Sequence, residues 1–496
     1  MERLLQHLAS WKPFTALVVG DFMLDEMWYG DAERLSADAP VPVLHVKRRE
    51  HNPGGAANLC LDLAAMRGRV LAFGVVGADP EGRLLRDCLA DRGVDPLGLI
   101  EDEQRPTTVK RNLIGLAQAR HPQKMFRADF ESKAPLSDEA VERLLSAIEA
   151  RIDEADCVCI EDYAKGVCSE RVCRRVVELA RGRGKPVFVD PAAVADYAKY
   201  RGATTLTPNR TEAERATGLA TDGSGDARHN AALAAALLAD LALECVVLTL
   251  DRHGALLLEP DSGPVSVPTV ARDVYDVTGA GDMFLAALAA GRCNGMGWTD
   301  AVRFANAAAG LEVEVFGCVP IPLEKIHAEL LRQRSRNHGK VRTLDEVLIE
   351  AAAVRAQGRK VVFTNGCFDV LHAGHVALID AAAALGDFLV VGLNNDASVR
   401  RLKGESRPVN SQDDRARVLG ALAGVGAIVL FGDEDDDTPL GIIRALRPDV
   451  LVKGADYTVE TVVGADIVLD AGGRVELVEL IEGRSTTRTI EKMRSA

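Results

Sequence analysis

Aromatic side chains are scarce, at 4% of 496 residues. No apolar run reaches the roughly 20 residues a membrane helix needs. The longest candidate, near residues 231–250, is broken by Asp240 and Glu244. Basic charge is not in excess: the formal net charge is −14, which argues against general attraction to nucleic acid or anionic membranes. The ten cysteines include no C-x-x-C pair; Cys157 and Cys159 are two apart, and Cys168 and Cys173 five apart. That spacing excludes the common zinc frameworks and predicts free thiols in a reducing compartment. The opening MERLLQHLASWKPF has no basic stretch before an apolar one, so no secretory leader is expected and the chain is placed in the cytoplasm. G-x-x-x-x-G-K-[ST] is absent, and no G-x-G-x-x-G follows the first strand, which removes P-loop and dinucleotide-binding readings.

What the chain does have is 47% apolar residues, 44 glycines and a rhythm. Short apolar runs at Ala16–Val19, Val70–Val76, Cys157–Ile160, Val187–Val189, Thr204–Leu206 and Val246–Leu250 read as strands. Helical patterns at Glu139–Ile152, Glu170–Arg183 and Asn230–Leu241 lie between them. Strands alternating with helices predict an α/β fold with a mainly parallel sheet covered on both faces. Residues 25–46 and 106–127 break the rhythm and predict a small β-lid over one end of that sheet. The polar QRSRNHGKVR at 333–342 reads as a linker, which divides the chain into domains at 1–332 and 343–496. The alternation then restarts, with strands at Val361–Thr364, Phe388–Leu393, Ala427–Leu430, Val450–Val452 and Arg474–Leu480. Helices are expected at His375–Leu385, Asp413–Leu422 and Leu440–Leu446.

Asp276 to Phe284 reads DVTGAGDMF, two glycines directly before an Ala-rich apolar helix. Glycines let backbone approach a phosphate, and a helix start offers free N–H groups to the charge on a transferring phosphoryl group. Asp282, at the end of the turn, is placed to take a proton from an attacking sugar hydroxyl. The competing reading is a plain glycine turn with Asp282 as helix N-cap. Three companions favour chemistry. Gly54-Gly55-Ala56-Ala57-Asn58 opens another helix, Gly20-Asp21 closes the first strand with Asp25 nearby, and Thr207-Pro208-Asn209-Arg210-Thr211-Glu212 follows a later strand. Lys165, in DYAKG, and Lys110, Arg111 and Arg127 of the lid are candidates to grip a substrate phosphate.

Together these segments resemble the ribokinase-like carbohydrate kinases over about residues 10–330. The resemblance implies an N-terminal three-layer domain with a β-lid and makes Asp282 the catalytic base, with Gly279, Ala280 and Gly281 forming the anion hole. It puts Asp21, Gly54, Gly55 and Asn58 on the sugar hydroxyls. Asn209, Arg210, Thr211 and Glu212 would meet ATP, and Mg2+ would be held mainly through the ATP phosphates, with Glu212 acting indirectly and no direct protein ligand. Thr249, Asp251 and Gly254 lie where that family holds the nucleotide, and Asn306 is similar to an asparagine near the adenine. Local capping or a solvated surface is the rival reading for Thr249 and Asn306.

Thr364 to His375 reads TNGCFDVLHAGH: a strand end, a glycine turn, and H-x-G-H opening a helix. His372 and His375 are three apart at the helix start, so both can face one phosphate, and the helix N-terminus adds positive potential. A zinc pair lacks a third ligand nearby, and two surface histidines leave Gly366, Asp369 and Gly374 unexplained. The segment resembles the HxGH nucleotidyltransferases, which implies a Rossmann-like C-terminal domain. Gly366, Phe368, Lys403, Lys453, Ser485, Thr486 and Thr487 would then hold ATP, with simple exposure in a loop as the rival reading for Lys403.

The two units in this order are similar to the family of bacterial bifunctional heptose enzymes, with GDFMLDEMWYG, SADAPVPV, DYAKG, RLKGESRPVN and LVKGADY as further matching stretches. The resemblance implies ATP-dependent phosphorylation of heptose 7-phosphate at O1. Adenylyl transfer from ATP to heptose 1-phosphate would follow, after a separate phosphatase, and give ADP-heptose for lipopolysaccharide core. It also implies a homodimer formed through the lid. The chain departs from the family picture at Ala192, where a lysine is expected after Asp190-Pro191, at Met283 and at Cys367. Two rival readings stay open: the same pair of reactions on another phosphosugar or nucleotide, and a non-catalytic ligand sensor.

Overall fold

The computed structural model describes residues 4, 7, 8, 10–116, 123–219, 227–269, 275–315, 317–338, 340–356, 358–433, 436–455 and 457–479. Main-chain contacts divide the chain into Ser10–Ile326 and a second unit, His327–Ala496 together with Met1–Ala9.

In the first unit the strands are β1 (Phe14–Gly20), β2 (Phe22–Leu35), β3 (Pro42–Gly55), β4 (Gly68–Gly77), β5 (Asp95–Asp102), β6 (Thr108–Gly115) and β7 (Gln123–Phe130). They continue with β8 (Cys157–Glu161), β9 (Val187–Asp190), β10 (Thr205–Leu206), β11 (Cys245–Thr249), β12 (Ala255–Leu258) and β13 (Val265–Val267). Nine of these form one sheet in the order β13-β12-β11-β10-β9-β8-β1-β4-β5. It is parallel except at its β12–β13 edge. Strands buried on both faces need unbroken apolar runs, which is why FTALVVG reads as it does. Leu17, Val19, Val158, Ile160, Val187 and Val189 share a core with Leu144 and Ile148 of helix Asp138–Arg151 and with Val172 and Val176 of helix Glu170–Gly182. The alternate residues face the other side. There the helices Ala56–Ala65, Ala280–Cys293 and Trp298–Glu312 pack.

The expected lid is a four-stranded sheet, β3-β2-β6-β7. Its β2–β6 pairing sets Asp25 opposite Lys110 and Glu26 opposite Arg111, so alternation sends these two cations to opposite faces. Strand β5 and the β12–β13 edge were not expected from the sequence.

The second unit contains β14 (Val341–Arg342), β15 (Val361–Gly366), β16 (Phe388–Asn394), β17 (Ala427–Phe431), β18 (Val450–Gly454) and β19 (Arg474–Val478). They form a parallel sheet in the order β14-β17-β16-β15-β18-β19. One face packs on helices Leu344–Ala356, Leu440–Leu446 and Ala465–Asp470, the other on Ala373–Ala383 and Gln412–Gly420. The stretch read as a linker is ordered at both ends: the helix Leu323–His338 runs into it, and Val341–Arg342 pairs with β17. Gln, Arg and Ser extend a helix without any apolar stripe, which is why polarity alone suggested a connector.

Candidate active sites

The first site gathers at the carboxyl ends of β1, β8 and β9. Helix Ala280–Cys293 is buried from Asp282 through Gly291, so its first turn is rigidly seated. Gly279 is its N-cap, at φ 90°, a conformation that favours glycine. Asp282 therefore does not cap the helix. It is buried in the first turn, where the helix leaves N–H groups without acceptors. Of the expected anion-hole residues, Ala280 turns its N–H to the Val277 carbonyl at 3.4 Å, while Gly281 is exposed at the turn.

Asp282 receives two hydrogen bonds, from Asn58 Nδ2 at 2.8 Å and from the Tyr163 hydroxyl at 2.7 Å. Burial raises its pKa to about 6; those bonds and the Lys110 charge hold it down, and Asp25 pushes it further up. A carboxylate near 6 is ionised at neutral pH yet basic enough to take a proton. Lys110 lies over the Tyr163 ring, 5.0 Å from its centroid, on the site-facing side of the lid.

Asp21 is buried, and its oxygens accept from the amides of Tyr163 (2.9 Å), Lys165 (3.0 Å) and Val167 (3.2 Å). Its geometry anchors the 163–167 loop rather than offering a free acceptor to a sugar. Asp25, unlike Asp21, keeps an unpartnered buried oxygen, Oδ1, and it abuts Gly54, where a Cβ would lie 2.5 Å from Asp25 Oδ2. Gly55 adopts φ 56° just before helix Ala56–Ala65. Lys165 is paired with Glu131 and half-hidden, so its ammonium is already engaged. Arg111 pairs with Glu26 and stacks on Trp28, away from Asp282.

Asn209 and Glu212 form a capping box at the start of helix Arg210–Thr217, with reciprocal bonds of 2.9 Å, and Thr211 lies in the same first turn. Asn209 also bridges to Thr249, and Thr249 Oγ1 reaches the Pro208 carbonyl at 3.4 Å. Asp251 and Gly254 both take positive φ in the turn after β11. Asn306 donates to the Val267 carbonyl at 2.9 Å, so its amide fixes the β13 edge. Ala192 is buried and donates its amide N–H to the Tyr200 hydroxyl oxygen at 3.2 Å, and its methyl side chain supplies no cation where one was expected.

Glu161, Asp190 and Asp282 each place an oxygen within 4.8 Å of the others. Burial raises both Glu161 and Asp190, and each is raised further by neighbouring acids. Glu161 Oε2 is buried without a partner. Three clustered carboxylates, two buried and Asp190 half-buried, fit a hard cation such as a divalent metal, so carboxylate donors are available beyond the indirect role expected of Glu212.

In the second unit, β15 delivers Gly366 and Phe368, the latter at φ 42°. His372 is the N-cap of helix Ala373–Ala383, and His375 lies in its first turn. Their rings stack at 3.8 Å with 18° between planes. Phe368 packs edge-on against His375 at 5.1 Å. Burial and the neighbouring His372 lower His375 to about 4, so its imidazole is neutral at pH 7. The loop is braced by Asp369 of the motif and by two arginines to which the sequence pattern assigned no role. Buried Asp369 binds Arg407 and the Val409 amide at 2.6 Å. Buried Arg415 donates to the carbonyls of Cys367 (2.6 Å) and Asn394 (2.9 Å) and to Asp396 (2.7 Å). Lys453 reaches the Asn365 carbonyl at 3.3 Å at the end of β18, beside the motif. Lys403 is exposed at the end of helix Asp396–Lys403, and its charge acts on the Cys367 thiol. Ser485, Thr486 and Thr487 lie outside the described residues.

No described helix is long and apolar enough to cross a membrane. Residues 15–326 match the family model of pfkB family carbohydrate kinases, and residues 363–487 match a cytidylyltransferase-like model. A Gluconacetobacter diazotrophicus protein named bifunctional protein HldE is 45% identical over 97% of this chain and 98% of its own length. The Geobacter sulfurreducens protein of that name is 43% identical over 100% of this chain and 98% of its own. Arabidopsis thaliana ribokinase, solved with ribose and ATP, matches with a TM-score of 0.50 at 22% identity over 64% of this chain and 99% of its own, which concerns the fold alone.

Proposed function

Because this chain belongs to the family of bifunctional HldE proteins, a carbohydrate kinase joined to a nucleotidyltransferase, we propose that it makes a nucleotide-activated heptose in two steps. In the first, Asp282 takes the proton of the anomeric hydroxyl of D-glycero-β-D-manno-heptose 7-phosphate. The freed oxygen attacks the γ-phosphorus of ATP, and ADP leaves. The N–H groups at the start of helix Ala280–Cys293 meet the charge that spreads over the transferring group. Glu161 and Asp190 would hold a divalent cation, Mg2+ in our reading, which would supply positive charge to the ATP phosphates. Asp25 is the acceptor for a sugar hydroxyl. In the second step, a heptose 1-phosphate oxygen attacks the α-phosphorus of ATP and pyrophosphate leaves. His372 and His375 donate N–H groups to the charge on the α-phosphate, with Lys453 beside them.

The observation that carries this reading is the buried Asp282, tuned to about 6 by burial and held by Asn58 and Tyr163 at a glycine-capped helix start. We place the kinase in residues 1–332 and the transferase in 343–496, in the cytoplasm, as a homodimer through the lid. Purified protein with heptose 7-phosphate and ATP, with and without a 7-phosphatase, tests it by mass spectrometry. Bisphosphate alone without the phosphatase, and ADP-heptose with it, are expected; unchanged sugar in both would remove the assignment. Because the second unit matches a cytidylyltransferase-like model, the same assay with CTP decides the base, and a CDP-sugar would overturn the adenylyl reading.

A further inference from the structure

Behind Asp282 lies a second layer of acids that the proposed chemistry does not use. Asn58 donates through Nδ2 to Asp282 and also to Asp62 Oδ2, at 3.4 Å. Asp62, on helix Ala56–Ala65, and Glu312, the last residue of helix Trp298–Glu312, are both fully buried. Asp62 Oδ1, both oxygens of Glu312 and Asn58 Oδ1 have no hydrogen-bond partner. Glu312 presses on the anion-hole turn: a Cβ on Gly279 would lie 2.5 Å from Glu312 Oε1 and 3.2 Å from Asn58 Nδ2. Among the described residues, no cation pairs with Asp62 or Glu312. The titratable groups acting on Glu312 are Asp282 and Asp276; those acting on Asp62 are Glu312 and Asp282. Cys318 also adjoins the Gly279 turn.

Buried carboxylates without cations cannot all be charged. A protonated carboxyl brings one donor, and Asn58 Oδ1 is the buried acceptor that lacks one. An amide whose oxygen is satisfied cannot turn over, so its N–H groups stay aimed at the base. We infer that Asp62 and Glu312 are neutral positioning residues of the kinase site, holding Asn58 with its amide hydrogens toward Asp282 and seating the Gly279 turn. Burial and the nearby acids raise Glu312 to about 9, which keeps it protonated through neutral pH, and burial beside Glu312 and Asp282 raises Asp62 well above the usual carboxylate range.

The inference rests on Asp282 being the kinase base. It is tested on whichever phosphosugar the wild type phosphorylates, so a wrong sugar shows in the wild type and a wrong network shows in the variants. Glu312→Leu should lower kinase kcat by roughly tenfold or more, leave the KM for ATP within about twofold and leave nucleotidyl transfer unchanged. Glu312→Gln, which keeps a donor, should recover most of that loss. It should also lack the fall in kcat that wild type shows as pH rises through about 9. If Glu312→Leu does not fold, the alkaline limb of Glu312→Gln, measured beside Asp62→Asn, decides alone. A limb unchanged in Glu312→Gln, a Gln variant as slow as Leu, or a Leu variant equal to wild type would each overturn the inference.

Discussion

The two sites handle phosphate charge in opposite ways. Around Asp282, burial concentrates carboxyl groups, and the result is a base raised to about 6. In the second unit, burial and the neighbouring His372 strip the charge from one imidazole, and His375 falls to about 4. The kinase reaction must remove a proton from a hydroxyl, so it needs a group whose charged form is basic. Attack by a phosphate oxygen needs no such base, so neutral N–H donors at a helix start suffice. One physical device, desolvation, is thus applied to an acid in one unit and to a base in the other, with opposite shifts.

Several experiments would break or sharpen that contrast. The largest effect is expected from Asp282→Asn, which removes the proton acceptor. Sugar phosphorylation should fall by about 10³-fold or more, while pyrophosphate release from preformed heptose 1-phosphate persists; loss of both would merge the sites. His375→Ala should do the reverse, lowering nucleotidyl transfer by roughly 10²–10³-fold with kinase turnover intact. Gly279→Ala comes next: its φ of 90° and the Glu312 oxygen 2.5 Å from the new Cβ both resist it. We expect about a tenfold loss of kinase kcat, read in a coupled ADP assay. The pH profiles should then separate. Asp282 must be ionised to accept a proton, so kinase kcat should decline as pH drops through about 6. Nucleotidyl transfer should hold steady across that interval, because His375 stays neutral until about 4. The smallest effect is expected from Lys453→Met, a several-fold rise, on the order of 3–10, in the KM for ATP of the second reaction alone.

The same contrast explains what the sequence disclosed. The second site is local: strand, turn and paired histidines occupy Thr364 to His375, so a short window carries its geometry. What it could not show was the bracing by Arg407 and Arg415, which reach back from a later segment. The first site is assembled from β1, β8, β9 and three helices, and there motif residues were found more readily than their orientations. In DYAKG the sequence points to Lys165, yet Tyr163 touches Asp282 and Lys165 pairs with Glu131. Asp21 and Asp25 read alike as acids near a strand end, but only burial and amide geometry separate an anchor from an open acceptor. Signals for the others existed. Glu161 and Asp190 close apolar strands, and Glu312 ends an Ala-rich buried helix where a charged residue is out of place. The lid was legible from its broken rhythm, whereas short edge strands such as β13, with few residues to pattern, were not.

The central claim is that one chain holds two independent phosphate chemistries. It is tested most directly by mixing the Asp282→Asn and His375→Ala variants with heptose 7-phosphate, ATP and the 7-phosphatase, and measuring ADP-heptose. Each variant alone should give almost none, and the mixture should make it at a rate approaching wild type. A mixture as silent as its components would contradict the account.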